Sequence, residues 1–242
     1  MQLTTTVAQP VRRTADRLFY MGMAIASLVA VFIGFAPTYY LKGYFQGTPL
    51  TPLVHLHGLV FTGWMLLFVT QTALVAGHRT DLHRRLGCLG AVWAPLLVLV
   101  GTTTAVVSAR RNFAAGHVEA LTFLAVPLGD MLVFAVLAAA GLCYRRRAET
   151  HKRLMLLATV ALLDAAVARW PLAIVHTGPA AFFLVADLFV VAGVVYDLLA
   201  RRRIHPAYIW GGLIVLLSQP LRLAVARTDA WLAFARALVT SI

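Results

Sequence analysis

The residues best equipped for chemistry lie inside stretches that otherwise read as membrane-spanning helices: Asp130, Asp164 and Asp187, Arg169 and Arg222, and the pair His55 and His57. Placing an ionisable side chain in hydrocarbon costs at least about 2.5 kcal/mol on insertion scales, so such groups turn toward a bundle interior or a wet cavity and mark functional positions. Counted from the span ends at about 1.5 Å per residue, Arg169 falls about 5 Å below the outer boundary, His57 about 7, Arg222 about 8, Asp187 about 9, Asp164 about 12 and Asp130 about 15. Polar groups from five helices therefore converge on one layer in the outer half of the membrane. An imidazole can ligate a metal or haem iron, a guanidinium can hold an anion, and a carboxylate can bind a metal or relay a proton. Two arginines against three aspartates leave one carboxylate to be protonated, hydrated, paired with histidine or metal-bound. The same set could instead be an ion-pair network that only fixes helix packing.

His55 and His57 diverge by about 200 degrees on a helix, so only one of them can belong to a given centre. His57 continues a stripe through Phe61, Trp64, Phe68 and Gln71, one helical face that serves helix packing or a cofactor wall. Flat apolar rings on that face suit a porphyrin or a quinone better than a hydrated ion.

The elements that must position these groups follow from composition. Hydrophobic residues make up 61% of the chain, charged residues 12%, and mean hydropathy is +0.82, against roughly 25% charged residues in an ordinary soluble domain. Apolar windows near 18–37, 53–76, 87–108, 120–143, 153–175, 181–199 and 207–226 are each long enough to cross a roughly 30 Å hydrocarbon core. The expected fold is all-α, a single domain over 1–242 with seven transmembrane helices. Basic residues cluster at Arg12, Arg13 and Arg17; at Arg79, Arg84 and Arg85; at Arg145, Arg146, Arg147, Lys152 and Arg153; and at Arg201, Arg202 and Arg203. The connections between these clusters hold few. The positive-inside rule predicts a cytoplasmic N-terminus and a periplasmic C-terminus in a bacterial inner membrane. No cleavable signal is expected, since the first apolar run is long and follows three arginines.

The net charge of +12 reflects this topology and not a nucleic-acid face. The only lysines, Lys42 and Lys152, lie outside the spans, which excludes a retinal Schiff base. There is no nucleophile elbow and no phosphate loop. Cys88 and Cys143 map near the reducing side without C-x-x-C spacing, so neither a disulfide nor a thiolate metal site is expected. Tyr39, Tyr40 and Tyr44, and Trp231 and Phe234 in the tail, fit outer interfacial anchors.

Asp81-Leu82-His83-Arg84-Arg85-Leu86 and Glu149-Thr150-His151-Lys152-Arg153-Leu154 both read acid-x-His-base-Arg-Leu, with a looser version at His205-Pro206. Each opens a span at the inner surface. They can be repeated interfacial anchors, or His83 and His151 can flank a cofactor or quinone pocket there.

The order of His57-Gly58, then Trp64 and Gln71 down the same face, then Leu82-His83-Arg84-Arg85-Leu86-Gly87 opening the next span resembles the H-G and H-R-x-L-G pattern of cytochrome b561 and ferric-reductase-like membrane proteins. Most of the chain also resembles a group of uncharacterised bacterial seven-span proteins that share the HLHG, LHRRLG and HKRLMLLAT strings. The first resemblance implies haem b held by two histidines, exchanging electrons with a quinone or a small reductant. His117 and His176, however, fall in outer connections, and His83, His151 and His205 at the inner surface.

The leading expectation is thus an inner-membrane redox protein binding haem b or a transition metal, with a quinone or a periplasmic redox partner and with membrane lipids around it. His57 would be the axial ligand with His55 as substitute, Trp64, His83 and His151 would border the cofactor, Arg169 and Arg222 would hold propionates, and Asp130 or Asp164 would handle protons. A metal-dependent lipid hydrolase, resembling adiponectin-receptor and alkaline-ceramidase proteins, would use His57, His55, Asp130, Asp164 and Asp187 as its ligand pool. A non-catalytic subunit and a transporter or proton path complete the alternatives.

Overall fold

The computed structural model describes residues 8–45, 47 and 49–241, with side chains from Thr14 onward. It is all-helical, with no strand among the described residues. Helix α1 covers Ala8–Phe35 and runs into a π-helical turn, Ala36–Tyr40. Helices α2 (Pro52–Ala76) and α3 (Thr80–Ala114) follow, then a short α4 (Glu119–Phe123) leading directly into α5 (Ala125–Cys143). Next come α6 (Ala148–Val160), a four-residue α7 (Asp164–Val167) and a 3-10 turn (Ala173–Thr177). Helices α8 (Pro179–Arg201), α9 (Pro206–Val225) and α10 (Asp229–Thr240) complete the chain.

Six stretches are long and apolar enough to cross a membrane: Thr14–Tyr40, Pro52–Ala76, Thr80–Ala114, Glu119–Cys143, Pro179–Arg201 and Pro206–Val225. Their outward faces carry large apolar side chains such as Leu59, Leu99, Leu184 and Leu199, each more than 60% exposed. Such a surface is stable against lipid and not against water. The chain is therefore a multi-pass membrane protein.

The stretch 153–175, expected as one continuous span, is broken. Helix α6 ends at Val160, where Leu162 and Leu163 bond back three residues to Thr159 and Val160 instead of four, a tightening that ends a regular α-helix. After α7 the backbone leaves the helix at Trp170-Pro171, since a residue preceding proline is pushed away from α conformation.

The long helices start where the sequence supplies caps. Thr51 Oγ1 accepts from Val54 N with Pro52 in the first turn of α2, and His205 Nδ1 accepts from Ala207 N at 3.1 Å with Pro206 opening α9. Two ends of the bundle can be named from side-chain contacts. At the basic end, Asp16 of α1 meets Lys152 of α6 and Arg201 of α8. At the far end, Phe35 of α1 lies under Arg169. Near that end Gly34 packs so closely on the Ala166 backbone that a Cβ would collide with its carbonyl, the small-residue contact by which helices approach in lipid. Helix α10 lies against α3 and α4 through Val239, Ala235, Leu121 and Val106, and Trp231 Nε1 donates to the Leu121 carbonyl at 2.9 Å. Trp231 is thus tied to the bundle, while its neighbour Phe234 is exposed.

Candidate functional site

Helices α5, α7, α8 and α9 bring Asp130, Asp164, Asp187, Gln219 and Arg222 together, all buried. Arg222 is the hub. Its Nη1 pairs with Asp130 and donates to the Val126 carbonyl at 3.2 Å, its Nη2 donates to Ser218 Oγ at 3.1 Å, and its plane lies 4.9 Å from the Phe183 ring centre. Asp164 lies 3.9 Å from Nη2, so the Asp130 and Asp164 carboxyls sit on the same guanidinium. Asp187 accepts from Gln219 Nε2 at 2.8 Å. Gly129 makes room for the hub, for a Cβ there would overlap the Arg222 side chain. A groove of about 1080 Å³ between α4 and α8, walled by Leu184, Leu188 and Leu223, shares Val126 with this cluster.

Arg169, expected in the same layer, does not join it. Depth counted along an unbroken helix assigned it there, but the chain has left the helix by Trp170 and turns Arg169 toward α1 and α2. Its guanidinium donates to the Ala165 carbonyl and stacks 4.8 Å from the Phe35 ring centre. One arginine, not two, serves the three aspartates.

The metal expectation is corrected as well. Among the described residues no group of three His, Cys, Asp or Glu side chains is arranged to hold a metal ion. His57 stacks on Phe61 at 4.0 Å, and the nearby charge acting on it is Arg169, whose positive guanidinium opposes a metal cation. His55 is exposed, its carbonyl accepting from Tyr39 Oη at 3.2 Å. The set His57, His55, Asp130, Asp164 and Asp187 therefore does not form one metal-holding group among the described residues. Trp64 is a buried packing residue, its Nε1 donating to Thr159 Oγ1 at 3.2 Å and its ring edge-on to Phe134.

At the basic end the two repeated strings do meet. The His83 and His151 rings are 6.2 Å apart at 76°. His151 Nδ1 bonds the Gly141 carbonyl at 2.7 Å, and with its amide oriented to satisfy both atoms, Gln71 donates to His83 Nδ1 at 2.7 Å and accepts from Gly87 N at 3.0 Å.

A second network at this end was not foreseen. Arg153, 0% exposed, binds Asp197, also 0% exposed, through two bonds of 2.9 and 2.5 Å, and adds Glu149 at 2.9 Å. Lys152 bridges Asp16 at 2.8 Å and Glu149 at 2.9 Å, and Tyr196 Oη donates to Asp16 at 2.7 Å. Arg201 contacts Asp16, Glu149 and Asp197. Burial pushes the Glu149 carboxyl up, but hydrogen bonds from Lys152 and Arg153 and the charges of Lys152 and Arg201 outweigh it and hold it down to about 2. Burial, then the Arg153 charge, holds the His205 imidazole below its usual range. Helical spacing carried the signal: Glu149 stands four residues before Arg153, and Asp197 four before Arg201.

Comparison with family models finds no match, and no curated protein or solved structure is significantly similar to the chain.

Proposed function

We propose that the protein is a seven-pass bacterial inner-membrane carrier in which Asp130, Asp164 and Arg222 form a proton-binding centre coupled to movement of a substrate. The broken α6–α7 segment and its 3-10 turn supply the fifth of the seven crossings, with the basic end in the cytoplasm, the far end and C-terminus in the periplasm, and membrane lipids around the bundle. The observation that carries this reading is that two buried carboxyls, Asp130 and Asp164, share the single guanidinium of Arg222. Two carboxyls with one cation and one proton are neutral; removing the proton leaves a buried negative charge that must be matched by another ion or by motion. Non-helical backbone at membrane depth, as around α7, is tolerated where protein or a wet cavity satisfies it, a recurring device of carriers.

Infrared spectra of the purified protein test the centre. Wild type should show a protonated-carboxyl band that Asp164→Asn removes, and vesicles of wild type but not of Asp164→Asn should take up protons when substrate is offered. A wild type without that band would make the cluster a static ion pair and favour the accessory-subunit reading.

A second reading keeps the redox expectation but moves it to the basic end. His83 and His151 each have one ring nitrogen fixed by the protein, which suits hydrogen bonding to a quinone head group. Quinone binding to the purified protein that disappears in His83→Ala would support it; unchanged binding would remove it.

A further inference from the structure

At the far end the π-helical turn Ala36–Tyr40, the first turns of α2 and the segment following α7 meet around His57. A π-turn is rare and concentrates at functional positions. This one sets the Tyr39 ring against Gly58, where any Cβ would collide with it, and aligns Tyr40 Oη with Thr62 Oγ1 at 2.7 Å. His57, stacked on Phe61, has a buried Nδ1 with no hydrogen-bond partner. Near it, Arg169 has, among the described residues, the Ala165 carbonyl as its one hydrogen-bond acceptor and no carboxylate within 4.0 Å. Arg169 is exposed, so its remaining N–H donors are open to a ligand.

Each of these groups lacks the same thing. A guanidinium carries five N–H donors in a fork matched to carboxylate or phosphate oxygens, and an unpartnered buried imidazole nitrogen is costly until something bonds it. A cation would be repelled by Arg169, and a purely apolar ligand would leave both groups unsatisfied. We infer that Arg169 and His57 form a binding site for an oxyanion, a phosphate or carboxylate group, seated between the guanidinium and the imidazole and bordered by the Phe35 and Phe61 rings. The same chemistry is offered by a soluble anion and by a lipid head group. The site is separate from the Asp130–Arg222 centre, sharing with it only the broken segment that carries Asp164 and Arg169.

The test follows the His57 ring nitrogens by NMR in the isotope-labelled full-length protein. One arm titrates inorganic phosphate in neutral detergent, and the other compares phosphatidylcholine nanodiscs with and without phosphatidylglycerol. A saturable change with inorganic phosphate identifies a soluble anion; a change confined to phosphatidylglycerol identifies a head group. In either arm Arg169→Gln should weaken the response at least about tenfold, as expected for loss of a charged hydrogen bond, and Arg169→Lys should restore part of it. Calorimetry on His57→Phe, which keeps ring packing on Phe61, supplies a second measurement if Arg169→Gln does not fold, and it too should show lost binding. Asp164→Asn should bind as wild type does, which separates this site from the proton centre. No change at His57 in both arms, or equal binding by wild type and Arg169→Gln, overturns the inference.

Discussion

The two buried charge clusters differ in their arithmetic. At the basic end three carboxylates, Asp16, Glu149 and Asp197, face three cations, Lys152, Arg153 and Arg201. In the other cluster Asp130 and Asp164 share one cation, Arg222, and Asp187 turns to an amide. A balanced network has nothing to gain by changing its charge state and acts as a clasp between α1, α6 and α8. An unbalanced one leaves a buried carboxyl without a cation of its own, and that asymmetry makes it the better candidate for a working site.

The largest expected effect comes from breaking the clasp. Arg153→Ala leaves the buried Asp197 without its two close bonds and with Arg201, at 3.4 Å, as its remaining cation, a loss approaching the roughly 3 to 5 kcal/mol of a broken buried pair, so expression and Tm in detergent should fall sharply. The double variant Arg153→Met with Asp197→Leu should recover most of the loss, because a packed apolar pair replaces a neutral ion pair at little cost. A double variant as unstable as the single would mean that the pair itself supplies the stability.

Gly129→Ala sharpens the contrast at the other cluster. Its Cβ would displace Arg222 from Asp130, an overpacking cost of about 1 to 3 kcal/mol. Because it also uncouples the carboxyl pair from its cation, it should shift the protonated-carboxyl infrared band, whereas Arg153→Ala should leave that band in place in whatever fraction folds.

The smallest effect is acid sensitivity. Glu149 is held from 4.5 down to about 2, so its contribution is fully present above its unfolded value and disappears as pH falls through the folded one. Half exposed, it is weakened by solvent screening. Glu149→Gln should slightly flatten the loss of Tm between those two values and change nothing near neutrality. Equal acid slopes for both proteins would remove Glu149 from the clasp.

The sequence made the membrane class legible because hydropathy alone decides it, and it located Asp130, Asp164, Asp187 and Arg222 because each is a costly residue in an apolar run. It misplaced Arg169 because a depth count assumes an unbroken helix, and Pro171 was the overlooked warning. Asp197 lies near the end of an apolar run, where a charge is inexpensive and draws no attention, although its spacing to Arg201 points to a pair. The meeting of Gln71 with His83 follows from a short turn between α2 and α3, whereas that of His83 with His151 depends on helix rotation, which periodicity does not encode.

The break in the fifth segment also bears on how the chain is made. Helix α6 has 13 residues, roughly 20 Å at 1.5 Å each, too short to satisfy a roughly 30 Å core by itself. It carries Arg153, whose bidentate partner Asp197 lies 44 residues later in the chain and emerges only after α8 has been synthesised. Until then the arginine has the half-exposed Glu149 as its acidic partner, so the segment waits at the surface or in the insertion machinery. The charge pattern thereby bears on the order of assembly: Arg153 gains its buried partner only after α8 is made, and truncation before Asp197 should leave 148–175 accessible to protease.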